Sequence, residues 1–263
     1  MTMDKYSRLT GLLELLTKRG KLEIDEVALE LGVSAATIRR DFDHLAQQQL
    51  LTRTRGGAVS NSVSYDLPLR YKTSRHADEK LRIGEAAAGL VRRGCVLGLT
   101  GGTTSTEVAR AITARGSLQI LDGDPAVTIV TNAVNIANEL TVRPQVKIVM
   151  TGGVARPQSY ELIGPLAERT LTELTLDLAI LGVNGIDASY GASADDEGEA
   201  AVNALMAARA SRVVVVADSS KLGHRAFARV CPIADIDTLI TDVRATDAQV
   251  DLFEKSGIDI RRV

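Results

Sequence analysis

The sequence predicts an α/β protein with a small, mostly helical N-terminal domain and a larger domain built on a mostly parallel sheet. From Ser7 to Leu51 the apolar residues recur at helical spacing, whereas beyond Asp78 short apolar strands alternate with helical segments. The second pattern is typical of a parallel sheet covered by helices on both faces. We therefore expect a small first domain over residues 3–58, a linker over 59–76 and a larger second domain over 77–263.

The composition argues against a membrane protein, and any nucleic-acid binding must be inferred from particular segments instead of the overall charge. A net charge of -2 with 45% hydrophobic residues indicates a globular protein without whole-chain attraction to nucleic acid. No apolar run reaches the roughly 20 residues of a membrane span, and the start MTMDKYSR lacks the apolar core of a signal peptide, so we expect a cytoplasmic protein. Cys95 and Cys231 have no partner at metal spacing; we expect buried thiols, and neither metal nor cofactor.

Three short amphipathic helices are predicted in the first domain. Their apolar faces comprise Leu9, Leu12, Leu13 and Leu16, then Ile24, Val27, Ala28 and Leu31, then Ile38, Phe42 and Leu45. After Leu51 the alternating TRTRGGAV meets a Gly-Gly turn signal, which predicts a short β-hairpin. The polar stretch from Ser60 to His76 shows neither period and is the expected linker.

The segment IDEVALELGVSAATIRRDFDHL has helix-turn-helix spacing, with a break at Gly32 and with Ser34 placed to cap the first turn of the second helix. The second helix would bury Ile38 and its apolar neighbours, and its opposite face would meet DNA. On that face an arginine can pair with guanine, while the flanks and the basic hairpin can reach phosphates. The candidate DNA-binding residues are Ser34, Ala36, Thr37, Arg39, Arg40, Arg53 and Arg55. An interaction domain with solvated arginines is the alternative.

At this point the sequence resembles a known family. SAATIRRDFDHL followed by LLTRTRGGAV is similar to the signature of the DeoR family of bacterial regulators, because the Ile-Arg-Arg-Asp core, its spacing to the hairpin and the paired glycines agree together. The resemblance implies a winged helix-turn-helix that binds operator DNA.

In the larger domain the strand CVLGLT runs into GGTTS and then into the helical TEVARAI. Glycines let the backbone approach a ligand, and the first helical turn adds outward N–H groups, so this turn can cradle a phosphate. Neither a Walker lysine nor a GxGxxG follows, which argues against a nucleotide. The candidate phosphate-binding residues are Gly101, Gly102, Thr103, Thr104 and Ser105. A tight strand-to-helix turn with a threonine cap is the alternative.

Polar residues and glycines also follow the other predicted strands. The carboxyl ends of parallel strands meet along one edge, where open α/β folds bind ligands. The further effector-binding candidates are Thr131, Asn132, Gly152, Gly153, Asn184, Glu197 and Lys221. Lys221 can equally be a solvated lysine. The acids Asp195, Asp196, Glu197 and Glu199 precede a helix and favour its start, so solvated helix capping is expected of all but Glu197, which stays open between the two roles.

This domain too resembles the DeoR family, through GGTT at 101–104, TNAVNIANEL at 131–140, MTGG at 150–153, LGVNGID at 181–187, DDEGEA at 195–200 and DSSK at 218–221. The resemblance implies a fold related to ribose-5-phosphate isomerase and a site for phosphorylated sugars. The segments MTGGVARPQSYELIG and DSSK resemble most the members of the family that control amino-sugar use. Many relatives carry Asp and a small residue before Gly-Thr-Thr, whereas this chain has Thr100 and Gly101, so a sugar hydroxyl contact would be missing.

Together these patterns predict a transcriptional repressor of carbohydrate-metabolism genes that a phosphorylated sugar releases from its operator. One winged helix buries little surface, so we expect a homo-oligomer, a dimer or tetramer, to supply enough specificity. Two alternatives remain open: an isomerase-like enzyme fused to a DNA-binding module, and an activator instead of a repressor. An enzyme would need a placed general base, and neither Glu197 nor Asp218 can be assigned that role from the sequence.

Overall fold

The computed structural model describes residues 5–48, 50–60, 69, 76–119 and 124–263. The chain divides into two compact units, Met1–Arg75 and His76–Val263. Of the linker predicted over 59–76, residues 61–68 and 70–75 lie outside the described residues, while Val59 and Ser60 belong to a strand.

The first unit has three helices and three strands among its described residues. They are α1 (Lys5–Arg19), β1 (Lys21–Glu23), α2 (Ile24–Glu30), α3 (Ala35–Gln47), β2 (Leu51–Thr54) and β3 (Gly57–Ser60). The predicted hairpin is confirmed as β2 and β3, and β1 adds a third antiparallel strand in the order β1-β3-β2. The sequence patterns did not predict β1.

The helices of this unit enclose one apolar core. Ile38, Phe42 and Leu45 of α3 are completely buried, and they pack with the predicted leucines of α1 and the apolar face of α2. Strand β1 approaches β3 so closely that a Cβ on Gly57 would lie 2.0 Å from the carbonyl oxygen of Leu22. Only glycine permits this contact.

The second unit carries six described α-helices and twelve strands. The helices are α4 (Ala77–Ala88), α5 (Thr103–Ala114), α6 (Val134–Leu140), α7 (Pro165–Thr172), α8 (Glu197–Ala208) and α9 (Asp247–Glu254). The strands are β4 (Val96–Leu99), β5 (Val127–Thr131), β6 (Val146–Met150), β7 (Val154–Arg156), β8 (Glu161–Ile163), β9 (Leu178–Gly182), β10 (Gly185–Asp187), β11 (Gly191–Ala194), β12 (Val213–Val216), β13 (Ala228–Cys231), β14 (Thr238–Thr241) and β15 (Asp259–Arg262).

Seven of these strands form one parallel sheet in the order β15-β14-β12-β9-β4-β5-β6. The six strands that the sequence predicts are all present, and β15 is an additional edge strand. Two antiparallel pieces complete the unit: the hairpin β7–β8 and the small sheet β10-β11-β13. The predicted α/β class with a mostly parallel sheet is therefore confirmed.

Each face of the sheet packs against helices. One apolar layer contains Ile83 of α4, Val108 of α5 and Ile136 of α6, and the other contains Leu171 of α7 and Met206 of α8. All seven strands run parallel to one another, so their carboxyl ends reach the same edge of the sheet. In the described part of the chain, helices long and apolar enough to span a bilayer are absent.

Candidate DNA-binding and effector sites

Ser34 caps the start of α3, and this end of the helix faces solvent. The Ser34 hydroxyl accepts a hydrogen bond from the Thr37 backbone N–H at 3.1 Å, as the sequence predicted. Ala36, Arg39 and Arg40 are exposed, while Thr37 is half-buried. The first turns of α3 therefore present small and basic side chains together.

Asp41 joins α3 to α1 through an ion pair with Arg8. This carboxylate is 3% exposed and accepts two hydrogen bonds from the Arg8 guanidinium of α1, at 2.6 and 3.2 Å. A two-point pair of this kind fixes direction as well as distance. The acid of the Ile-Arg-Arg-Asp sequence thus orients α3, a role that helical periodicity alone did not indicate.

The two wing arginines have different surroundings. Arg55 is exposed at the hairpin turn beside Gly56, whose φ is +89°. Arg53 is half-buried, its Nε lies 3.1 Å from Oδ1 of Asp43, and its guanidinium stands 5.6 Å from the Phe42 ring centre. Arg53 therefore ties the wing to α3, in addition to any contact with DNA.

In the second unit the predicted phosphate-binding turn lies where β4 ends and α5 begins. Gly102 is the N-cap of α5, has a φ of +109° and offers no side chain to cap the helix. Thr104 and Ser105 are buried and Thr103 is half-buried. The Ser105 hydroxyl is among the described buried atoms without a hydrogen-bond partner. The turn thus combines uncapped helical N–H groups with an unused hydroxyl.

Glu161, a residue that the sequence patterns missed, contacts both the phosphate-binding turn and Asn132 at the end of β5. Glu161 of β8 is 4% exposed, and its Oε2 accepts a hydrogen bond from Nδ2 of Asn132 at 2.9 Å. The backbone of Gly101 lies close to the same carboxyl, and its N–H lowers the pKa of Glu161. Asn132 is itself fully buried, and its Oδ1 has no partner among the described atoms. Gly101, Asn132 and Glu161 therefore form one cluster.

Arg156 of β7 links this cluster to α8. Its guanidinium contacts Asp196 Oδ2 at 3.0 Å and Glu199 Oε1 at 2.9 Å. Asp196 also caps α8 by accepting the backbone N–H groups of Gly198 and Glu199, as expected of a helix-capping acid. The expectation that Glu199 is a solvated acid was wrong, because its side chain is 7% exposed and paired.

Burial and charge change the acidity of Glu161. Loss of water and, secondly, the nearby Glu199 carboxylate raise its pKa to about 8, although Asn132 and Arg156 act in the opposite direction.

The remaining candidates flank the cluster. The Thr131 hydroxyl donates a hydrogen bond to the Leu99 carbonyl oxygen at 2.6 Å and so ties the end of β5 to β4 beside the cluster. Asn184 accepts the backbone N–H of Asp195, and Glu197 is exposed at the start of α8. Gly152 and Gly153 follow β6, and Lys221 follows β12. Each of these strands lies two places from β4, which corresponds to about 10 Å.

Asp242 shapes the Lys221 end of this edge. This buried carboxylate follows β14 and accepts the Ser219 backbone N–H at 2.6 Å and the Ser219 hydroxyl at 3.1 Å. It fixes the short helical turn of Ser219–Lys221.

A basic helix-turn-helix joined to an α/β unit whose parallel sheet ends in polar and glycine-rich turns is typical of DNA-binding regulators that carry a sensor domain. Family models match both parts: the DeoR-like helix-turn-helix domain over residues 8–64 and the DeoR C-terminal sensor domain over residues 75–243. The chain belongs to the DeoR family.

Curated relatives match along nearly the whole chain. The HTH-type transcriptional regulator GlpR of Haloferax volcanii is 32% identical over 95% of this chain and 94% of its own. The glycerol-3-phosphate regulon repressor of Escherichia coli is 31% identical over 91% of this chain and 92% of its own. The chain is accordingly a transcriptional regulator and not an enzyme.

Among solved structures, ribose 5-phosphate isomerase A from Methanocaldococcus jannaschii is 20% identical, with a TM-score of 0.38 over 56% of this chain and 54% of its own.

Proposed function

We propose that this regulator is a repressor of carbohydrate-metabolism genes and that a phosphorylated sugar, of the amino-sugar class, releases it from its operator. The observation that carries the proposal is the Gly101–Ser105 turn, where uncapped helical N–H groups meet the unused hydroxyl of Ser105 and the unused Oδ1 of Asn132. Buried polar atoms without partners are rare, and a ligand phosphate and hydroxyl would satisfy these.

On the DNA side, Arg40 is proposed to pair with a guanine in the major groove, with Ser34, Ala36, Thr37 and Arg39 at the backbone or beside base edges. Arg55 and Arg53 would hold the wing on the phosphates. Exposure of Ala36, Arg39 and Arg40 on one end of α3 supports this assignment.

On the effector side, the phosphate is proposed to bind at Gly101, Gly102, Thr103, Thr104 and Ser105. The sugar would extend along the edge toward Thr131 and Asn132, or toward Asn184, Glu197 and Lys221. Gly152 and Gly153 lie on the same side of β4 as Thr131 and Asn132, and Lys221 lies on the other side. Since the strands that lead to Lys221 and to Gly152 lie on opposite sides of β4, each about 10 Å from it, we expect one hexose phosphate to contact only one flank.

The working protein is proposed to be a cytoplasmic homo-oligomer, a dimer or tetramer, with the larger domains holding the copies together. Two tethered DNA-binding domains multiply the specificity that a single one lacks. Light scattering should give at least twice the mass of one chain at micromolar concentration, with or without operator. A monomer in both conditions would contradict this part.

Two experiments test the function itself. In a thermal-shift panel of phosphorylated and unphosphorylated sugars, only phosphorylated members should raise the melting temperature, because a ligand of the folded state stabilises it. In a reporter strain, deletion of the gene should raise expression of a neighbouring carbohydrate operon. A fall in expression would identify an activator, and no response to any phosphorylated sugar would remove the effector class.

A further inference from the structure

The Glu161 carboxyl lies directly against the turn that is proposed to bind the effector phosphate. A Cβ placed on Gly101 would be 2.4 Å from Cγ of Glu161 and 2.5 Å from its Cδ and Oε1. The Gly101 backbone N–H also lies near this carboxyl, and it lowers the pKa of Glu161.

The charged groups around Glu161 come from two elements. Strand β7 supplies Arg156, and α8 supplies Glu199 directly and Asp196 through Arg156. The turn and the end of β5 contribute Gly101 and Asn132, which do not titrate. Three carboxyl groups therefore share one guanidinium in this cluster.

An anionic effector would bring further negative charge to the same turn. Two anions held within a few ångströms of each other repel, and the cost rises as water is excluded. The acid nearest the phosphate can relieve this repulsion by taking a proton, and Glu161 is already poised for this because burial and Glu199 raise its pKa to about 8.

We propose that Glu161 is a proton-linked positioning residue: when an anionic effector binds at the Gly101–Ser105 turn, each copy of Glu161 that is still ionised takes up one proton and leaves the Gly101 N–H to the effector. The proton comes from solvent and adds to the carboxylate, and no bond of the effector is broken. This inference rests on the proposed function, since it concerns the same site.

The first test counts protons by isothermal titration calorimetry in two buffers of different ionisation enthalpy at about pH 8.5. The probes are glucose 6-phosphate, N-acetylglucosamine 6-phosphate and inorganic phosphate. Sugar phosphates are fully dianionic there, because their second pKa is about 6, and they carry no titrating amine. The wild type should take up between about half a proton and one proton per bound sugar phosphate, and Glu161→Gln close to none.

Glu173→Gln is the matched control, because Glu173 is an exposed acid at the end of α7, away from the cluster. It should take up protons like the wild type. Linkage also requires the wild-type affinity to fall by up to tenfold for each pH unit above Glu161's own pKa, whereas Glu161→Gln should respond little.

Glu199→Gln gives a second test that does not need Glu161 replaced. Removing the neighbouring carboxylate should move the fall in affinity to lower pH. Sugar phosphate binding without proton uptake in the wild type would overturn the inference and leave the proposed function intact. If no phosphorylated probe bound the wild type, both would fall.

Discussion

At the scale of single residues, Gly101 is the position where the site tolerates least change. Any side chain there would displace Glu161, whose Cγ and Cδ lie within 2.5 Å of the required Cβ position. We predict that Gly101→Ala lowers the free energy of unfolding by about 1 to 3 kcal/mol and weakens sugar phosphate binding at least tenfold. Urea unfolding and ligand titration measure the two effects.

Gly116→Ala is the control for this change, because no atom lies within 4 Å of its Cβ position and its φ is not positive. It should alter neither quantity by much. Gly101→Ala binding sugar phosphate as tightly as the wild type would show that Glu161 and the turn are not coupled.

Glu161 also predicts a pH dependence of stability. Its pKa is raised from 4.5 to about 8 in the folded state, so between these values the folded chain holds a proton that the unfolded chain has lost. Stability from this group therefore declines as pH rises from about 5 to 8. In Glu161→Gln the slope of unfolding free energy against pH should be more positive than in the wild type, by up to about 1.4 kcal/mol per pH unit.

Urea unfolding at pH 5.5, 6.5 and 7.5 measures the slope, with Glu173→Gln as the control that keeps it. Equal slopes in Glu161→Gln and the wild type would mean that Glu161 has an ordinary pKa in the folded state.

The sequence predicted those residue roles that depend on near neighbours. Ser34 and Asp196 cap helices that begin one residue later, so their roles follow from local spacing. Glu161 and Arg156 act on residues 29 to 60 positions away, and nothing in a short window marks them. The one available sign was that a carboxylate stands between Tyr160 and the apolar pair Leu162 and Ile163.

At the scale of elements, the cap of α3 sets the start of the proposed recognition helix. We predict that Ser34→Ala lowers stability by about 1 kcal/mol, because the Thr37 N–H loses its acceptor. Ser34→Gly should cost only a few tenths, since glycine caps helices tolerably. Thermal unfolding compares the two. Equal losses would indicate that the hydroxyl does not act as a cap.

The contact between Asp43 and Arg53 sets the charge of the wing. The pair is partly exposed, so its contribution to stability is small, at about 0 to 1 kcal/mol. Asp43→Asn should nevertheless free Arg53 for phosphate and steepen the plot of log affinity against log salt by about 0.9. Arg55→Ala should make it shallower by a similar amount. Fluorescence anisotropy with labelled operator gives both slopes, and an unchanged slope in Asp43→Asn would place Arg53 away from DNA.

Helices and strands could be predicted from the sequence where they are long enough to show a recurring pattern of apolar residues. The six apolar strands of the parallel sheet have lengths and turn signals that identify them, and all six are present. Strand β1 has three residues, too few to show alternation. Strand β15 reads DIRR and is largely exposed at the sheet edge, so it lacks the apolar pattern of its neighbours.

At the scale of the whole molecule, the account couples two sites on separate units. Operator and effector would favour different arrangements of the proposed oligomer, so each must lower the binding affinity of the other by the same factor. The coupling free energy is typically about 1 to 3 kcal/mol. The residues of the turn lie in the unit His76–Val263, whereas α3 and the wing belong to Met1–Arg75. Substitutions in the turn should therefore affect release and leave operator affinity without effector nearly intact.

The most direct measurement is the release of fluorescent operator, selected from bound genomic fragments, during titration with the sugar phosphate that stabilises the protein. Wild type should release the operator, while Thr103→Val combined with Thr104→Val should bind operator normally and need at least tenfold more sugar phosphate to release it. Release of the double variant at the wild-type concentration would contradict the central claim that this turn binds the effector.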